Sequence, residues 1–113
     1  MPVYVIALRK RTHDTAAMER YHSEAPRART PEMKILSAYG KTKVVEGDAI
    51  EGVVLLEFPD MAAADRWYES EAYQKAREHR LGAVDLQLIF ITGIEPNAAI
   101  KPPGTAQSTP SNR

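Results

Sequence analysis

Three side chains of this sequence have the chemistry to move a proton or bind an anion, and each is next to an aromatic residue or shares a predicted helix face with one. His22 follows Tyr21 in a helical pattern, and an imidazole titrates near neutral pH. Glu57 ends an apolar run, where a buried carboxylate would resist ionisation and become a general base. Arg80 can bind a ligand carboxylate through its planar guanidinium. These residues predict proton transfer on a small acidic molecule.

Each of these residues also has a purely structural interpretation. Glu57 could sit at a solvated strand end or pair with an arginine, and His22 could be a residue at the edge of the core. Arg80 could belong to a charged helix surface. Trp67 and Tyr73 either anchor a helix in the core or, with Tyr21, form the wall of a binding pocket. The sequence leaves these alternatives open.

Composition excludes several classes of function. The chain has no cysteine, so disulfides, thiol nucleophiles and thiolate metal sites are excluded. Its three histidines match no metal-binding spacing, and we expect neither a metal nor a cofactor. Lys plus Arg and Asp plus Glu number 15 each, which disfavours a nucleic-acid partner. No signal peptide or membrane-spanning run is visible, and a cytoplasmic protein is expected.

Four apolar runs predict strands around two helical patterns. The strands are expected at about Val3–Leu8, Lys34–Tyr39, Val53–Phe58 and Asp85–Thr92. The first helix starts after Asp14 and presents one face, which is formed by Met18, Tyr21, His22 and Ala25. The second starts after Asp60, with an inward stripe of Met61, Ala64, Trp67 and Tyr68, and Ser70 caps its continuation towards Arg80.

The order of these elements, β-α-β-β-α-β, predicts an α+β ferredoxin-like domain with a four-stranded antiparallel sheet over residues 1–94. Two helices cover one sheet face, yet three of the four strands are apolar on both faces. A second copy of the same sheet would cover the other face, so a homodimer is expected. Residues 95–113 contain four of the eight prolines and predict a flexible Pro-rich tail.

Several short motifs resemble the domain of unknown function 1330 family, a branch of the dimeric α/β-barrel superfamily. They are EGD at Glu46–Asp48, EFP at Glu57–Pro59, and the aromatic segment Trp67–Tyr73. The likeness extends from about Val3 to Gly93 and implies the same fold and a sheet-to-sheet dimer. Family members often carry a Gly-Gly pair where this sequence has Tyr39-Gly40. Related branches of the superfamily include cofactor-free monooxygenases, cyclases, lactone isomerases, haem proteins and ligand-binding sensors.

Together these features predict a small homodimeric protein that binds, and in one interpretation converts, a small organic acid or an aromatic or polyketide-like molecule. His22 and Glu57 are the candidate catalytic residues. The candidate substrate-binding residues are Tyr21, Trp67, Tyr73 and Arg80. The alternative is a non-catalytic binding or sensor module, and the sequence leaves open whether the protein is an enzyme.

Overall fold

The helices and strands follow one another in the predicted order. The computed structural model describes residues 1–100 and Pro102. Its strands are β1 (Val3–Thr12), β2 (Lys34–Ala38), β3 (Gly52–Phe58) and β4 (Val84–Thr92). Its α-helices are α1 (Thr15–Glu24), α2 (Met61–Glu69) and α3 (Glu71–Arg80), and a 3-10 helix spans Ala25–Ala28.

The strands form one antiparallel sheet in the order β2-β3-β1-β4. Because β1 and β3 are the inner strands, their alternate side chains build the core: Val3 and Val5 are 1% exposed, and Phe58 is fully buried. The helices pack on this face, while the sheet of a single chain remains open. The predicted α+β ferredoxin-like fold with a four-stranded antiparallel sheet is therefore confirmed.

Local capping explains where the helices begin and end. The carboxylates of Asp14 and Asp60 accept hydrogen bonds from backbone N–H groups of α1 and α2, at 3.0 and 2.8 Å. Pro26 cannot continue the α-helical hydrogen bonding, and the chain tightens there into the 3-10 helix. Ser70 ends α2 and caps α3, accepting from Tyr73 N at 3.1 Å. The capping residues named from the sequence are the ones observed.

Two details differ from the sequence prediction. Strand β1 extends four residues past Leu8, because its basic segment pairs with β4 around a bulge between Arg9 and Arg11. Met61 is 37% exposed and does not belong to the inward stripe of α2, whereas Ala63 is fully buried. Position 61 is the first residue of the helix, where the sheet does not yet cover the side chain.

The sheet face opposite the helices carries a row of apolar side chains that no part of the described chain covers. Ile6 lies between Leu55 of β3 and Ile89 of β4 in the strand register. All three are only partly buried, and Ile91 on the same face is 51% exposed. We call this surface the outer face.

Residues 95–100 form a turn and no regular element. The remainder of the predicted tail, Lys101 and residues 103–113, lies outside the described residues, so the domain boundary at residue 94 stays a prediction. Among the helices that the structure describes, none has both the length and the apolar character that crossing a membrane requires.

Candidate functional site

A cavity of about 290 Å³ lies between the sheet and the helices. This volume is at the lower end of the range of about 300–1,000 Å³ that is usual for small-molecule sites. Most of its walls are apolar and come from Val5, Ala7, Met18, Ala25, Pro26, Met33, Ile35, Ala38, Val54, Leu56, Trp67, Leu86 and Leu88. The helix α1 face predicted from its periodicity lines the cavity. Such a space suits a compact, largely apolar molecule.

The polar groups on the cavity wall are basic or uncharged. Arg80, Arg29 and His22 supply the basic side chains, and Tyr21, Tyr39 and Tyr73 supply hydroxyl groups. No Asp or Glu is among the lining residues that the structure describes. The wall therefore offers positive charge and hydrogen-bond donors to a ligand, and its described part has no carboxylate that would repel an anion.

Arg80 is a buried cation at the end of helix α3. The residue is only 9% exposed, and its Nη2 donates a hydrogen bond to Tyr73 Oη at 3.3 Å. The guanidinium carbon also lies 5.7 Å from the centroid of the Tyr21 ring. Its buried Nε has no hydrogen-bond partner, and no carboxylate forms an ion pair with the guanidinium in the described part of the chain. Buried arginines are rarely left without an anion, so an anionic ligand is a fitting partner.

The hydroxyl groups of Tyr21 and Tyr73 lie 3.0 Å apart and join helices α1 and α3. Burial raises the pKa of Tyr21 well above its ordinary range, and the neighbouring Tyr73 raises it further. The Tyr21 hydroxyl therefore stays protonated across the physiological range and can act as a hydrogen-bond donor. Both tyrosines named from the sequence are thus brought together with Arg80.

Trp67 serves the core and the cavity wall at once. It is 5% exposed, and its ring centroid lies 4.5 Å from that of Tyr73 and 5.7 Å from that of Phe58. Trp67 also lines the cavity. The two interpretations that the sequence left open for Trp67 are therefore compatible.

His22 lies at the cavity mouth, in an exposed position on helix α1. Its ring makes edge contacts with the rings of Tyr21 and Tyr39, at centroid distances of 5.3 and 5.5 Å, and its Nε2 is 3.4 Å from Nη1 of Arg9. Partial desolvation and, second, the Arg9 guanidinium lower the pKa of His22. The imidazole is therefore predominantly neutral near pH 7 and able to accept a proton.

The structure does not bring Glu57 to this cavity, which corrects the prediction that it is a catalytic residue of the same pocket. In the register of β1 and β3, Glu57 pairs with Tyr4 and points to the outer face with Leu55, while Leu56 and Phe58 point towards the helices. Its carboxylate lies 3.8 Å from Nζ of Lys34 on the neighbouring strand. A base in the cavity would have to come from another residue.

Two residues near the mouth were missed by the sequence reasoning. Tyr39 lines the cavity, and its backbone is in the left-handed region with a φ of 57°, a rare conformation for a bulky residue. Its ring lies directly over Gly52, where an added Cβ would come within 2.5 Å of the ring. Arg9 stands behind the mouth, held by Glu51 at 3.2 Å. If the predicted strand had been extended by one residue past Leu8, the alternation of Val5 and Ala7 would have placed Arg9 on the cavity side of the sheet.

The open antiparallel sheet with helices on one face defines a ferredoxin-like protein, and the cavity lies in the space between these layers. The family model for the domain of unknown function 1330 matches residues 2–94. The chain belongs to this family, and the resemblance seen in its motifs is confirmed. No curated protein matches the sequence.

Solved structures with the same fold are distant in sequence. A protein of unknown function from Rhodopseudomonas palustris is 20% identical, with 84% of each chain covered and a TM-score of 0.62. A dimeric ferredoxin-like protein of unknown function from Thermobifida fusca is 14% identical, with 80% of this chain and 90% of that chain covered and a TM-score of 0.61. SnoaB, a cofactor-independent oxygenase from Streptomyces nogalater, is 11% identical over 87% of this chain and 98% of its own, with a TM-score of 0.56.

Proposed function

We propose that this protein binds a small organic acid in the cavity between its sheet and its helices. The observation that carries the proposal is Arg80, a buried guanidinium on the cavity wall for which the described residues supply no carboxylate partner. A bound anion would neutralise that charge in a largely apolar site, where the attraction is stronger than in bulk solvent. The apolar walls and Trp67 would hold the body of the ligand.

A thermal-shift screen tests this proposal. Small carboxylates, phenols and lactones are added to the wild-type protein, to Arg80→Ala and to Arg77→Ala. Arg77 is the matched control because it lies on the same helix, has a buried Nε without a partner, and does not line the cavity. A ligand that binds only the folded state raises its melting temperature. We expect acids to stabilise the wild type and Arg77→Ala but not Arg80→Ala; equal shifts in all three proteins would refute the role of Arg80.

A second candidate function is cofactor-free proton transfer on the bound acid, as in an isomerase, cyclase or monooxygenase-like enzyme. The observation that favours it is the position of His22, whose neutral imidazole lies at the mouth of the same cavity. The fold likeness to a cofactor-independent oxygenase supports this reaction class in general terms. In the absence of turnover, the protein would be a binding or sensor module.

Product analysis separates these two functions. Each acid that stabilises the protein is incubated with the wild type, His22→Gln and His79→Gln, and the mixture is examined for new compounds. An enzyme that uses His22 would convert the acid in the wild type and His79→Gln, with a turnover at least about 100-fold lower in His22→Gln. Binding without conversion in all three proteins would leave the sensor function.

We also infer that the chain forms a homodimer through the outer face. Ile6, Leu55 and Ile89 form an apolar row there that is partly exposed in the single chain. Burying such a surface against a second copy would remove apolar area from water, which stabilises the dimer by about 25 cal/mol per Å² of buried apolar surface. The Thermobifida fusca protein of the same fold is dimeric, which supports this arrangement.

A further inference from the structure

The hydrogen bonds that link Arg80, Tyr73 and Tyr21 have a definite direction. A guanidinium can only donate, so Tyr73 Oη accepts the bond from Arg80 Nη2. Tyr73 is 1% exposed, and its own hydroxyl proton needs an acceptor inside the protein. Tyr21 Oη, 3.0 Å away, is the hydroxyl within reach. The chain of donors therefore runs from Arg80 through Tyr73 to Tyr21.

This direction leaves the hydroxyl proton of Tyr21 free for the cavity. Tyr21 lines the cavity and is only partly buried, and Tyr73 Oη is the one hydrogen-bond partner of its hydroxyl among the residues that the structure describes. Because burial raises the pKa of Tyr21, the proton is retained. Successive hydrogen bonds polarise one another in a low dielectric, so a cation at the start of the chain makes its last hydroxyl a stronger donor.

The geometry of Arg80 limits how a ligand can reach the positive charge directly. The side-on contact with a carboxylate uses Nε and Nη2 together. Nε is shielded inside the protein, and Nη2 already donates to Tyr73. The two-point side-on contact with a carboxylate is therefore disfavoured, whereas a ligand with one charged oxygen can be held by the single donor of Tyr21.

We propose that Tyr21 donates the hydrogen bond that holds the acidic oxygen of the ligand, and that this ligand is a phenol or an enol bound as its anion. The inference rests on the proposed function, since it requires that the cavity binds a small acid. Tyr73 and Arg80 are then positioning residues that act on the ligand through Tyr21. The planar body of such a ligand would lie against the apolar wall that includes Trp67.

The probe for this inference is 4-nitrophenol, whose anion is followed by its visible absorbance. Bound in the cavity, the probe is expected to ionise at a lower pH than in free solution, because the chain of donors and the Arg80 charge favour the anion. Tyr21→Phe should bind the anion roughly 10-fold or more weakly and lose most of this shift. Tyr73→Phe should have a similar effect, and Tyr68→Phe, whose hydroxyl lies outside the cavity lining, should have none.

The double variant Tyr21→Phe/Tyr73→Phe tests the direction of the chain. If Tyr73 acts through Tyr21, the double variant binds no more weakly than Tyr21→Phe alone, and additive losses would overturn the relay. Should Tyr21→Phe fail to fold, the deciding measurement is the pH at which the probe ionises when bound to Tyr73→Phe. If that pH is the same as in the wild type, the inference is overturned.

Failure of this inference can be told from failure of the proposed function. If the wild type binds 4-nitrophenolate and the probe bound to Tyr21→Phe ionises at the same pH as the probe bound to the wild type, the proposed role of Tyr21 is wrong and acid binding stands. If carboxylates stabilise the wild type but the phenol does not bind, the ligand class is wrong. If neither binds, the proposed function fails and the inference falls with it.

Discussion

At the scale of single residues, His22 at the cavity mouth makes the stability of the folded chain depend on pH. Desolvation and Arg9 both disfavour the protonated imidazole, so its pKa in the folded chain is below the ordinary value of 6.5. The unfolded chain therefore binds this proton more readily than the folded one. The stability linked to the neutral ring is fully present above pH 6.5 and is lost as the pH falls below 6.5 through the lower pKa of the folded chain.

Replacing His22 should remove this dependence. In His22→Gln we expect the free energy of unfolding, measured by urea denaturation, to decline less between pH 6.5 and more acidic values than it does in the wild type. His79→Gln is the control, since His79 pairs with Glu24 at 2.8 Å, outside the cavity lining. An identical pH profile in His22→Gln and the wild type would contradict the shift.

At the scale of elements, Ser70 joins two helices that both supply the cavity wall. Its Oγ accepts from Tyr73 N of α3 and donates to Trp67 O of α2 at 2.8 Å. Ser70→Ala should destabilise the protein by about 1 kcal/mol through loss of the cap, as measured by denaturant unfolding. The control is Ser23→Ala, because the Ser23 hydroxyl is exposed and donates only to Arg20 O. Equal costs for the two variants would show that the cap is not responsible.

The contact between β3 and the end of β2 gives a second test at this scale. In Gly52→Ala the new Cβ would collide with the Tyr39 ring, so the ring must leave the cavity wall. We expect a loss of roughly 1–3 kcal/mol in the free energy of unfolding. In a Tyr39→Ala background the same substitution should cost little, because the colliding ring is absent. A cost that persists in that background would place the strain elsewhere.

At the scale of the whole molecule, the outer face predicts the oligomeric state. Leu55→Glu puts a charge in the middle of the apolar row, where burying it against a second copy would be expensive. Light scattering after gel filtration should give a dimer for the wild type and a monomer for Leu55→Glu. Val45→Glu is the control, since Val45 is 79% exposed in the loop between β2 and β3. A monomeric wild type would contradict the inferred dimer.

Much of the fold could be predicted from the sequence because its signals are local. Asp14, Asp60 and Ser70 cap their helices through bonds to backbone groups three residues away, so short motifs were sufficient. Strand β1 was predicted too short because Arg9 and its neighbours are charged. Their partners, among them Glu51, are distant in sequence and become visible only in the folded chain.

The candidate site was harder to predict because strand parity does not say which face the helices cover. Glu57 has the same strand parity as Leu55, and that parity belongs to the outer face. The 3.6-residue helical period predicted which helix faces carry Tyr21, Tyr73 and Arg80. In the structure these three side chains are joined by hydrogen bonds. Tyr39 has a left-handed backbone conformation in the structure, next to Gly40. A tyrosine rarely adopts this conformation, so its position on the cavity wall could not be predicted from the residue type.

The central claim is that the cavity binds an anion because Arg80 is buried in its wall without a carboxylate partner. The most direct measurement is calorimetric titration of the wild type with the acid that gives the largest thermal shift and with the uncharged methyl ester or ether of the same compound. We predict that the acid binds about 10-fold or more tightly than its neutral counterpart, and that Arg80→Met abolishes the difference. Equal affinity of the wild type for both compounds would contradict the account.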